Sequence, residues 1–154
     1  MTYWRLFYHI VWATKNRELS ISIEARDSLY NAVAAKARQL GAAVHAVGGT
    51  QDHIHVVASV PPTITLSEFV RNLKGGSSHF LNHQLSLPRP FGWQSEYGVL
   101  SFDGRLLEKM TQYVKDQRQH HQNGTIVPAL ERTAAEERSP KDTVIEQHSS
   151  QQPL

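Results

Sequence analysis

The sequence contains no cysteine, which excludes a disulfide scaffold, a thiol nucleophile and any zinc site built on thiolates. No uninterrupted apolar run approaches the ~20 residues that a membrane span requires. The start, Met1-Thr2-Tyr3-Trp4-Arg5, lacks the basic, apolar and small-residue segments of a secretory leader. A phosphate-binding loop is missing too, because in Leu73-Lys74-Gly75-Gly76-Ser77-Ser78 the lysine precedes the glycines. These absences predict a cytoplasmic protein with no membrane partner and no nucleotide cofactor. Neither sign of charge dominates: 16 basic residues face 14 acidic ones, for a net of +2. The balance is uneven, however. Residues 128–154 carry Arg132, Arg138 and Lys141 against Glu131, Glu136, Glu137, Asp142 and Glu146, so the body is more basic than the whole. A mildly basic body permits a nucleic-acid partner without demanding one.

With 154 residues, 40% of them apolar, the chain has enough material for one packed core. That domain is expected over residues 1–127. From Pro128 onward Ser, Gln, Glu and Pro dominate, and a disordered polar tail is expected over 128–154. Residues 3–14 read as a strand, apolar on both faces and therefore central. A helix follows from an N-cap at Ser22 to Leu40, with Leu29, Val33, Ala37 and Leu40 as its apolar stripe. Residues 43–47 and 53–60 read as two strands joined by Gly48-Gly49-Thr50-Gln51-Asp52. The capping box Thr65-x-x-Glu68 opens a second long helix, with a kink expected at Gly75-Gly76. A fourth strand is expected over 97–102, and a last helix over about 105–121. The order β-α-β-β-α-β predicts an α+β fold of ferredoxin-like type. Its antiparallel sheet carries helices on one face, with one added C-terminal helix.

The sharpest chemical signal is Asp52-His53-Ile54-His55. Residues i and i+2 of a strand share a face, so His53 and His55 present two imidazoles together while Ile54 enters the core. Nine histidines in this length give about 0.5 such pairs by chance, so the pair alone does not establish a metal site. Tyr113 and Gln117 are i,i+4 neighbours on a helix face, able to supply a phenol nucleophile and an amide oxygen. An isolated helical tyrosine is more often a packing residue with a wet hydroxyl. His79 and His83 have helical metal spacing, but Phe80 stands where zinc proteases place their glutamate. His120 and His121 are expected to meet the carbonyls of a helix end. Basic residues are interleaved with aromatics, among them Arg5, Lys15, Arg17, Arg71 and Lys74 with Trp93 and Tyr97. That pattern suits single-stranded nucleic acid, whose bases can stack.

Assembled in order, these blocks resemble a known family. Tyr8-His9-Ile10-Val11-Trp12-Ala13-Thr14-Lys15-Asn16-Arg17 and Gly48-Gly49-Thr50-Gln51-Asp52-His53-Ile54-His55-Val56-Val57 are similar to segments of the HUH single-tyrosine transposases. So are Leu73-Lys74-Gly75-Gly76-Ser77-Ser78, Trp93-Gln94-Ser95-Glu96-Tyr97-Gly98-Val99 and Tyr113-Val114-Lys115-Asp116-Gln117. The resemblance covers residues 3–121. It implies that Tyr113 is the nucleophile and that His53, His55 and Gln117 hold Mg2+ or Mn2+. It also implies a homodimer in which the Tyr113 helix of one chain completes the histidine site of the other. The implied reaction is cleavage and rejoining of single-stranded DNA beside hairpins, through a 5′-phosphotyrosine intermediate. The DNA contacts are expected from Arg5, Lys15, Arg17, Arg71, Lys74, Ser77, Ser78, Trp93 and Tyr97. The alternative within the resemblance is a domesticated, non-mobile protein that binds or processes repeat hairpins. Outside catalysis, the rivals are a single-strand-binding module on the same fold and a zinc hydrolase built on His79 and His83.

Overall fold

The computed structural model describes residues 1–134. Four strands, β1 (Phe7–Ala13), β2 (Ala43–Gly49), β3 (His53–Ser59) and β4 (Gly98–Phe102), form one sheet in the order β2-β3-β1-β4. Every pairing is antiparallel. Helix α1 (Ile23–Gln39) follows β1, and α2 (Leu66–Gln84) follows β3. After β4 come α3 (Leu107–Lys115), α4 (Gln117–Asn123) and the short α5 (Pro128–Glu131). No described helix is long and apolar enough to cross a membrane.

Local chemistry explains where the long helices begin. The Ser22 hydroxyl accepts the Ala25 N–H at 3.2 Å, and the Thr65 hydroxyl accepts the Glu68 N–H at 3.2 Å. Each satisfies one of the donors that a helix start leaves free. Helix α2 runs unbroken through Gly75 and Gly76, so the expected kink is absent. At Gly76 an added Cβ would lie 3.5 Å from the Lys36 stem on α1. Packing across the α1–α2 contact holds the helix where glycine alone would weaken it.

The sheet sorts its side chains by alternation. Ile10 and Trp12 of β1 join Ile54, Val56 and Ala58 of β3 against Leu29, Val33, Phe69, Val70 and Leu73 of α1 and α2. Each large aliphatic or aromatic side chain buried there contributes about 1.5–3 kcal/mol. The opposite face carries His9, Val11, His53, His55 and Val57. The expected added C-terminal helix lies against this face as α3, joined by the unexpected α5. The face is covered from within the chain: α3 packs on β2 and β3, while α5 packs on β1 and β4. Ala46, Val57, Tyr113, Val114 and Leu130 make a second core there. The approach of α3 depends on Gly48, where a Cβ would collide with the Val114 carbonyl.

Two boundaries also differ. The single last helix is interrupted at Asp116 (φ −96°, ψ 18°), so Tyr113 lies in the last turn of α3 and Gln117 opens α4. The polar tail does not begin at Pro128. Proline at the first position of α5 is preorganised for a helix, and Leu130 anchors it in the second core. The remainder of the expected tail, 135–154, lies outside the described residues.

Candidate active site

Strand β3 supplies the centre. His53 and His55 point to the same face, with ring centroids 5.0 Å apart, and both are almost wholly buried. The sheet and its loops fix the two rings differently. His53 Nδ1 lies 2.7 Å from Asp52 Oδ1 and 2.9 Å from Thr50 Oγ1, while Arg17 reaches Asp52 at 3.6 Å. His55 Nδ1 lies 2.7 Å from Nε2 of His9, a neighbour on β1 that is itself 1% exposed. Both Nδ1 atoms are therefore engaged behind the site, leaving both Nε2 atoms aimed into it.

Helices α3 to α5 bring the remaining groups. Gln117 Oε1 lies 3.2 Å from His53 Nε2, and its amide N–H donates to the Tyr113 carbonyl at 3.4 Å, so the i,i+4 stacking survives the break at Asp116. The Tyr113 hydroxyl donates to Glu131 Oε1 at 2.5 Å and accepts the Val127 N–H at 3.0 Å. Glu131 Oε2 lies 3.1 Å from His55 Nε2 and 3.4 Å from His53 Nε2. One carboxylate thus bridges the phenol and both imidazoles. Glu131 was not among the residues expected from sequence. Its signals, proline at a helix start and leucine before the glutamate, sit in a segment whose composition reads as tail.

The charges follow from this packing. Burial alone would raise the Glu131 carboxyl, but hydrogen bonds and charge from His55, with Tyr113 and His53, hold it down at about 2. Burial, then the Glu131 acceptor, raise the Tyr113 phenol above its ordinary value. Burial, with His55 adding to it, drives the His9 imidazole down to about 3. His55 is lowered in the same direction, chiefly by burial. Neutral His9 and His55 then share one proton along their contact. If His55 Nε2–H donates to Glu131, His55 Nδ1 accepts from His9. A ligand taking the His55 Nε2 lone pair requires the reverse donation.

These buried neutral histidines carry a stability consequence. Below about pH 6.5 an unfolded His9 takes up a proton that the folded one refuses until about pH 3. The unfolded state therefore binds more protons in that window, and stability falls as pH falls through it. His9 alone should cost about 2 kcal/mol at pH ~5 relative to neutral pH, with His55 adding in the same direction. Urea denaturation at the two pH values measures this. Equal midpoints would show that the pair is not held neutral.

The residues fit a divalent ion. Ligand atoms about 2.1 Å from one centre must lie about 3–4 Å from each other, and the separations above fall in that range. His53, His55 and Glu131 form the cluster of metal-ligating side chains found among the described residues. The carboxylate changes the expected ligand set: with Glu131 the site is not neutral, and it offers hard oxygens that suit magnesium or manganese. The zinc-hydrolase rival finds less support. The His79 and His83 rings adjoin at 4.1 Å, yet no further histidine or carboxylate among the described residues joins them in a cluster.

The other expected residues separate. Lys15 and Arg17 flank the His53 end of the sheet, beside the Thr14 N–H bond to the Asp52 carbonyl at 2.8 Å. Arg71, Lys74, Ser78, Trp93 and Tyr97 line one groove. Arg5 lies at the far end of β1, over the Phe7 ring. Ser77 is not a surface group: it is 1% exposed, donates to the Leu73 carbonyl and accepts the Trp93 indole N–H. His120 does not cap a helix end as expected but stacks on the Tyr113 ring, centroids 4.7 Å apart. His121 Nε2 approaches Glu131 Oε1 at 3.6 Å. Tyr113 faces the histidines of its own chain, whereas the resemblance implies those of a partner.

Comparison with known proteins places the sequence and the fold. The ISDra2 transposase TnpA of Deinococcus radiodurans is 26% identical over 119 residues, 74% of this chain and 85% of that protein. The transposase of insertion sequence element IS200 from Salmonella typhimurium is 29% identical over 129 residues, 80% of this chain and 84% of the relative. A crystal structure of a transposase from Deinococcus radiodurans superposes with a TM-score of 0.56 at 25% identity, covering 76% of this chain and 95% of that one. The fold is shared with a REP-associated tyrosine transposase bound to a REP hairpin (TM-score 0.58, 14% identity, 82% of this chain and 76% of that one). The model of the family described as "Transposase IS200 like" matches residues 2–117, and this chain belongs to that family.

Proposed function

We propose that this chain cuts and rejoins single-stranded DNA beside hairpins, in the cytoplasm, through a 5′-phosphotyrosine link on Tyr113. The observation that carries the reading is the line from the Tyr113 hydroxyl through Glu131 to His55 and His53. His53, His55, Gln117 and Glu131 would hold Mg2+ or Mn2+, which when bound offsets the negative charge of the scissile phosphate. The chain's own groups supply the proton chemistry. As the Tyr113 oxygen attacks phosphorus, its proton passes to Glu131 Oε1, and the bond to the 3′ oxygen breaks. That oxygen leaves with a proton from water. In the return step a 3′ hydroxyl attacks the phosphotyrosine and gives its proton to the hydroxide left by that water, while Glu131 gives its proton back to the departing phenolate. Splitting the transfer into two displacements preserves the bond energy, so no nucleotide cofactor is required.

The arrangement of Tyr113 supports a site completed within one chain, even where two chains associate. A second reading, processing of dispersed repeat hairpins, uses the same chemistry and is favoured by the shared fold with the hairpin-bound transposase. Incubation with end-labelled hairpin-bearing single strands and manganese should yield a covalent adduct that survives denaturation and is lost on chelation. Absence of any adduct across a panel of hairpins would rule the reading out.

A further inference from the structure

A groove of about 500 Å³ lies between α2 and the 93–97 loop, away from the Tyr113 site. Its helix wall is one stripe, Ser67, Arg71, Lys74, Gly75 and Ser78, the i, i+4, i+7, i+8 and i+11 positions that share a helix face. The opposite wall includes Trp93, Gln94 and Tyr97. That wall is rigidly hung. The Trp93 indole donates to Ser77 at 2.9 Å, and its ring packs edge-on to Trp12 and Phe91. The backbone beside it bonds to the end of β1, Gln94 N–H to the Ala13 carbonyl and Lys15 N–H to the Gly92 carbonyl. This is the end of the sheet that carries His53.

Two features call for an occupant. Gly75 sits within a 19-residue helix, where glycine is less favourable than alanine by about 1 kcal/mol. Among the described residues nothing beyond the helix's own adjacent backbone lies within 4 Å of a Cβ added there, so packing among them does not demand the glycine. Bare backbone on a groove floor instead permits close approach from outside. The second feature is charge. Among the described residues neither Arg71 nor Lys74 is in a salt bridge; the Lys74 ammonium donates to the carbonyls of Ser95 and Glu96 and feels the Glu96 carboxylate at longer range, leaving the pair a net positive charge. The groove is thus cationic, aromatic on one side and open to the backbone on the other.

We propose that this groove seats one unpaired nucleotide of the DNA substrate. Its phosphate would meet Arg71 and Lys74, and its base would lie beside Tyr97 over Gly75. This rests on the reading that the substrate is single-stranded DNA. The test is fluorescence anisotropy with a labelled DNA hairpin carrying a mixed-sequence single-stranded flank. Gly75→Leu fills the groove with a better helix former, so its melting temperature should not fall. Its affinity for the hairpin should drop about tenfold, the scale of one lost stacked base. Arg71→Gln, at an exposed position, should weaken binding and flatten its salt dependence. An abasic site walked along the flank should find one position that weakens wild-type binding but not Gly75→Leu binding. Wild-type affinity in Gly75→Leu, or one abasic profile for both proteins, overturns the groove assignment and leaves it to another partner such as an acidic peptide. Failure of the wild-type chain to bind the hairpin or form an adduct would instead overturn the DNA reading itself.

Discussion

Tyr113→Phe should form no covalent DNA adduct above background while remaining folded. The substitution removes one oxygen from a ring that is 8% exposed and packed in the second core, so its apolar contacts survive. What it loses is the donor to Glu131 and the acceptor of the Val127 N–H. The stability cost should be about 1–2 kcal/mol, the range for removing one partner from partly buried polar groups. Strand cleavage should fall at least about a thousandfold, because the group that makes the bond is gone. A labelled adduct that persists in Tyr113→Phe, or maps to Tyr97 or Tyr30, would transfer the nucleophile elsewhere.

The double variant His53→Ala/His55→Ala should lose measurable manganese binding and metal-dependent cleavage while keeping most of its affinity for hairpin DNA. The imidazoles offer two of the four atoms able to hold an ion, and their removal leaves Gln117 and Glu131 alone. On the proposed reading, DNA affinity would rest on phosphate and stacking contacts elsewhere. The variant should also melt earlier, since Glu131 loses the groups that hold its charge. Mixing it with Tyr113→Phe tests how the site is assembled. A site completed within one chain gives no rescue in a co-purified heterodimer, whereas a shared site gives an adduct on the histidine-deficient chain alone. Isothermal titration with manganese and a denaturing gel read the two halves of this result.

Much of the site was legible because alternation in a strand and stacking on a helix are local rules. The period of two in His53-Ile54-His55 follows from the pleat, and the Tyr113–Gln117 spacing outlasted a helix break because one turn still separates them. What was missed depends on tertiary context. Glu131 lies in a stretch whose composition reads as tail, and only the burial of Leu130 gives that stretch a docked position. The apolar far side of β1 called for a cover, and sequence could not say that α3 and α5 would supply it. Ser77 was expected, with Ser78, to contact DNA. Helix phase instead turns Ser77 inward beneath Trp93.

The alternation of β3 has a further consequence for heterogeneous preparations. Ile54 and Val56 occupy one core while His53 and His55 face the other side, so the strand has no neutral face to spare. A pairing error of one residue would bury the imidazoles among aliphatic side chains and expose the aliphatics beneath Tyr113. Misregistered molecules would therefore be both insoluble and inert, not partly active. Titrating the adduct against total protein then counts correctly paired sheets, turning a chemical yield into a census of folding.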